Sequence, residues 1–143
     1  MYILGINMRN NENQLRKAIW GNLILSVVAV VIDKIYGIFG HGVDSAAMTW
    51  MFLYTLLGGA LFYFIIERLI PYITKFEGFR VFLNIHNSGI ATLTLASLLK
   101  GIFEIAGTNS HYLVYYYMAG GVFIVAGLII MLIMAINKDR VHV

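Results

Sequence analysis

The chain reads as an all-α membrane protein: an antiparallel four-transmembrane-helix bundle with N- and C-termini cytoplasmic. Three observations predict this. Four stretches reach or approach the roughly 20 apolar residues that cross a hydrocarbon core about 30 Å thick. The composition is 60% hydrophobic and only 12% charged, with a mean hydropathy of +0.81, whereas an ordinary soluble domain is about a quarter charged. Most of the ten Lys and Arg residues fall in alternate gaps between the apolar stretches. The 143 residues form a single integral membrane domain.

In chain order, residues 1–17 predict a short cytoplasmic arm, amphipathic or disordered. The first span covers about 18–40 and is retained rather than cleaved, because the opening is long and polar and no A-x-A-like site follows the apolar run. The second span covers 46–66, and Pro71, the only proline, breaks the chain just after it. Residues 71–80 form the inner connection. The third span is most apolar over 81–99 and continues as a helix to 106; the fourth covers 112–136. Short loops make consecutive spans antiparallel neighbours.

Basic loops are retained on the cytoplasmic side. Arg9, Arg16 and Lys17 precede the first span, Arg68, Lys75 and Arg80 lie between the second and third, and Lys138 and Arg140 follow the fourth. On the outer side, Lys34 and Lys100 stand against Asp33, Asp44 and Glu104, about −1 in all; the same counting leaves about +4 inside. The expected arrangement is therefore multi-pass, with both termini cytoplasmic.

Lipid tails provide no hydrophobic drive for helix association, so small residues mark the close-packed faces. Gly58, Gly59 and Ala60 interrupt the second span, while Gly89 and Ala96 in the third, and Gly120 and Gly127 in the fourth, each return to one face after seven residues. KIYGIFG at 34–40 and KGIFEIAG at 100–107 echo each other, which suits a duplicated helical hairpin related by an axis along the membrane normal, although apolar helices share letters easily and chance is the simpler explanation.

Two groups of polar residues are candidates for function. The third span reads NIHNSGIATLTLAS over 84–97. At 100° per residue, Gly89, Leu93, Ser97, Lys100 and Glu104 lie within about 60° of His86, a stripe expected to face the bundle interior as a ligand or ion pathway, with Asn84 and Asn87 beside it. Ionisable residues in a membrane helix are functional candidates by default. The second group is an outer polar cluster of Asp33, Lys34, His41, Asp44 and His111, which converges if the two outer loops meet. His41 and His111 are the pair through which haem or a metal ion would be held, since His86 has no histidine partner at its depth. The metal is unknown, and no cofactor is predicted. His142, beside the C-terminus, carries no role.

The chain has no cysteine, and hence no thiolate chemistry. It contains no H-E-x-x-H, no G-x-S-x-G, no Walker-type loop and no paired intramembrane aspartates. Fluoride-channel and multidrug-exporter patterns are likewise missing. Nothing supports nucleic-acid binding. The expected partners are the lipid bilayer and a second copy or another membrane protein.

At FGHGVDSAAMTWMFLYTLLGGAL and NIHNSGIATLTLASLLKGIFEIAGT, the chain resembles small bacterial four-transmembrane-helix proteins of the domain-of-unknown-function type, over roughly residues 30–130. The resemblance implies a bacterial plasma-membrane protein and carries no activity with it. A paired-histidine stretch associated with the second helix of one such group does not occur here. The reading is an accessory or interaction subunit without catalytic apparatus, and leans against an enzyme; the alternative is a small transporter, channel or ligand-binding protein.

Overall fold

A computed structural model describes residues 2–137, with side chains from residue 5; Lys138, Arg140 and His142 lie outside the described residues. Within them every regular element is helical. Four helical segments, Gly5–Phe39, Ala46–Leu69, Phe79–Ile105 and Leu113–Ile136, are each long and apolar enough to cross a membrane. The molecule is thus a helix bundle of multi-pass membrane type.

Helix α1 (Tyr2–Phe39) has 38 residues, about 57 Å at 1.5 Å per residue and nearly twice the hydrocarbon thickness. Residues 2–17 of the expected arm are instead the first part of this helix. Neither proline nor a capping turn interrupts the stretch, and its inward residues have somewhere to dock. Leu15 is buried with Tyr63, Ile66, Ile73, Phe79 and Phe82. Asn11 donates to the Thr74 carbonyl at 2.8 Å and accepts from Arg80 Nε at 3.1 Å.

The second span begins at α2 (Ala46–Trp50), whose N-cap Ser45 accepts from the Met48 amide. It continues through α3 (Phe52–Thr55), a π-helical segment (Leu56–Leu61) and α4 (Phe62–Leu69). A π turn spaces successive residues more widely and frees a carbonyl from the i→i+4 ladder. Gly59 lets this widened turn lie against α1: an added Cβ would overlap the Asn22 side chain. The helix stops at Ile70, before a 3-10 turn (Pro71–Lys75) with proline at its start.

Helices α5 (Phe79–Ile105) and α6 (Leu113–Ile136) form the most extensive interface in the molecule. A Cβ at Gly89 would meet Ile124, one at Gly120 would meet Leu93, and one at Gly127 would meet His86, with nearest approaches of 2.9, 2.7 and 3.0 Å. Numbers rise on one helix as they fall on the other. These are the glycines whose sevenfold spacing marks a packing face, and here they allow close backbone approach. By contrast, α1 and α5 barely touch, although both pack on the second span.

Candidate functional site

The charged residues near the 40–45 connection sort into two local groups. Asp33 Oδ1 accepts from Thr49 Oγ1 at 3.0 Å, and its Oδ2 lies 3.4 Å from Lys34 Nζ. Ser45 Oγ donates to Glu104 Oε2, while Glu104 Oε1 lies 3.8 Å from Lys100 Nζ. Ser45 and Glu104 thereby tie the start of the second span to the end of the third. Lys100 and Glu104 are close to half exposed, so their mutual attraction contributes well under 1 kcal/mol.

The histidines of the outer cluster stand differently. His41 Nδ1 donates to the Phe39 carbonyl at 2.8 Å, at a left-handed backbone position with φ 51°. His111 is exposed, as is Asp44, whose carboxylate lies close to Gly37. Among the described residues, no three His, Asp or Glu side chains gather closely enough to hold a metal ion.

Replacing Ser45 with Ala removes both the cap and the Glu104 anchor. A loss of about 1–2 kcal/mol is expected, the upper part of the range for N-cap removal. Lys100→Ala, which removes only an exposed partner, should cost under about 0.5 kcal/mol. Thermal unfolding in one detergent compares the two; equal losses would mean that Ser45 anchors nothing.

The polar stripe of the third span divides along its length. His86 is 3% exposed. Its Nε2 donates to the Gly58 carbonyl at 3.0 Å, using an acceptor in the π segment. Its ring stacks on Phe62 at 4.6 Å and meets the Tyr63 ring edge to face at 5.5 Å. The other ring nitrogen, Nδ1, is buried without a partner. Further along, Gly89 and Leu93 are packed against Ile124 and Gly120 of α6. Ser97 Oγ and Tyr117 OH are 3.0 Å apart. Only beyond this do Lys100 and Glu104 emerge. The stripe is therefore split: Gly89, Leu93 and Ser97 face the α5–α6 seam, while the His86 ring turns to the second span and its backbone and Cβ lie against Gly127.

Asn87 points elsewhere from His86. Its Oδ1 accepts from Asn22 Nδ2 at 3.1 Å and from Tyr63 OH at 2.9 Å, joining three spans through one atom. Asn84 is exposed, and its carbonyl accepts from Ser88. The sequence signal for Asn22 is a single carboxamide within the apolar WGNLILSVV. Tyr63 and Tyr117 had none, being two among nine tyrosines.

Because α1 and α5 stand apart, a cavity of about 530 Å³ opens between them. Its walls are apolar, with Ala18, Gly21, Leu25 and Ala29 on one side and Ala91 and Leu95 on the other. Asn22, Thr55, Asn87 and Thr94 are its polar lining residues, and among the described residues no charged side chain lines it. Comparison with known proteins found no family model, no curated protein and no solved structure that matches the chain.

Proposed function

We propose that the chain is an accessory protein of the bacterial plasma membrane, associating sideways with another membrane-spanning chain and catalysing no reaction. Its spans alternate in direction and both termini are cytoplasmic. The opposed numbering of the α5–α6 contacts and the placement of Lys and Arg support that threading.

The observation that carries the reading is the one-sided support of α6. Its extensive contacts are all with α5, while Met118, Val122, Val125 and Ile129 are more than half exposed. Gly121 lies beside the packed Gly120, yet nothing stands within 4 Å of where its Cβ would be. A small residue at a helix surface permits a second helix to approach closely, and van der Waals contact drives such association in lipid. The internal polar groups, meanwhile, are largely engaged in holding the bundle together: Asn22 with Asn87, Ser45 with Glu104, Ser97 with Tyr117.

The absence of cysteine gives a clean test. Val122→Cys and Val125→Cys, placed on α6 and each labelled with a benzophenone maleimide, should photo-cross-link in native membranes, whereas Phe64→Cys on the second span, labelled likewise, should not. A product near twice 16.1 kDa identifies a second copy; any other mass identifies a different partner. Monomer alone at all three positions contradicts lateral association through α6.

A further inference from the structure

We infer that the cavity between α1 and α5 is a binding site for a single-chain lipid with an uncharged hydrogen-bonding head, such as a monoacylglycerol, a fatty alcohol or a fatty amide. This goes beyond lateral association, because the site lies on a different face from α6.

Size carries the first part. The lining residues of α1 run from Ala18 to Ile32, about 21 Å at 1.5 Å per residue. A volume of about 530 Å³ for the centres of water-sized molecules spread over that length, widened by a water radius of about 1.4 Å on each side, leaves a slot about 8–9 Å across, narrower than the 10–12 Å diameter of a helix with its side chains. Another transmembrane helix therefore does not enter it. One hydrocarbon chain does, since carbon atoms pack at about 3.5–4.0 Å. The volume also falls within the roughly 300–1,000 Å³ of small-molecule sites.

Charge and hydrogen bonding carry the second part. A lining without charged side chains leaves an ionic head uncompensated within the slot. The polar feature near one end is the Asn22–Asn87 pair. Both bonds to Asn87 use its Oδ1, so its Nδ2 amide remains a donor with no protein partner among the described residues. It is not among the buried orphaned atoms, so it is not fully enclosed, and Asn87 lines the slot. A donor at the end of an apolar slot matches a carbonyl or hydroxyl at the end of a hydrocarbon chain. The small residues Gly21 and Ala91 hold the slot open, and nothing lies within 4 Å of a Cβ placed on Gly21.

The test uses the full chain in vesicles with a monoacylglycerol carrying a mid-chain diazirine, and a diacylphosphatidylcholine with the same photoreactive chain. The monoacylglycerol should label peptides within 18–32 and 87–98, and the diacyl probe should label them at least fivefold less. Gly21→Leu and Ala91→Leu, which fill the slot from opposite walls, should each cut that labelling at least fivefold while labelling of α6 stays unchanged. Helical content by circular dichroism shows that each variant is folded, and either variant alone suffices if the other is not. Three results overturn the site: even labelling of slot and α6, equal labelling by both probes, meaning annular lipid only, or labelling that survives the folded filled variants. The cross-linking at Val122 and Val125 is read separately, so either proposal can fail without the other.

Discussion

Gly89→Leu should separate α5 from α6 and lower the stability of the detergent-solubilised protein more than substitution at any open glycine. A Cβ at position 89 would lie 2.9 Å from the Ile124 backbone nitrogen as well as from its side chain. A side chain tip can rotate away, but a backbone atom moves only if the whole helix moves. Overpacking of a fitted interface costs typically about 1–3 kcal/mol. Here the displacement also loosens the contacts of Gly120 with Leu93 and Gly127 with His86, which belong to the same seam. Because α6 has no other extensive support, it is the element that should come free. Gly121→Leu is the control: the same substitution on α6, one residue from the packed Gly120, but facing open space. Its melting temperature should stay level or rise slightly, since Gly costs a helix about 1 kcal/mol relative to better formers. Equal losses at 89 and 121 would show that close approach at the seam does not hold α6.

Phe82→Ala should be the most damaging truncation in the packed region near the 71–80 connection. Phe82 is fully buried, with Phe79 at 6.0 Å, His86 at 5.7 Å and Tyr63 edge-on at 6.3 Å between ring centroids. Phe→Ala in a core costs about 3–5 kcal/mol. The lower end applies here, because the part of that cost arising from transfer to water is reduced where lipid is the solvent. The cavity term and the lost ring contacts remain. Phe64, 45% exposed and lying under the Arg68 guanidinium, provides the contrast: its truncation should cost about 0.5–1 kcal/mol, the worth of an exposed cation–π contact. Unfolding in mixed micelles measures both. A Phe82 loss no larger than that at Phe64 would mean that the cluster joining α1, the second span and α5 contributes little.

The positions of the four spans were legible because the signal is an average over many residues. Even the least apolar, Phe79–Ile105, stays long and apolar enough to cross a membrane. Element ends were legible to within a few residues where a local cause exists, such as Pro71 after the second span. The continuation of α1 through MRNNENQLRK was not legible, because it depends on Leu15 and Asn11 finding partners more than fifty residues away. The π segment likewise shows only as LLGGAL in the sequence; what fixes it is Asn22 against Gly59 and His86 on the Gly58 carbonyl.

Helical periodicity placed His86, Gly89, Leu93 and Ser97 on one face; the structure has Gly89, Leu93 and Ser97 on the α5–α6 seam and turns the His86 ring to the second span. It cannot distinguish a face that lines a path from one filled by a neighbour, since both repeat at the same angle. The small residues of α6 decide that difference, through Gly120 against Leu93 and Gly127 against His86. Asn22 and Asn87 are 65 residues apart in sequence; only the packing of α1 and α5 on a common second span brings them together.

The central claim is that four helices cross a bilayer in alternating directions, and side-specific labelling tests it most directly. Single cysteines replace Glu12, Asp44, Glu77 and Asn109, all exposed, in the cysteine-free chain, and sealed cells and inverted vesicles are treated with a membrane-impermeant maleimide. Positions 44 and 109 should label only from outside the cell, and positions 12 and 77 only in the inverted vesicles. Labelling of all four from one side, or a 12 and 77 pair split across the membrane, would contradict the account.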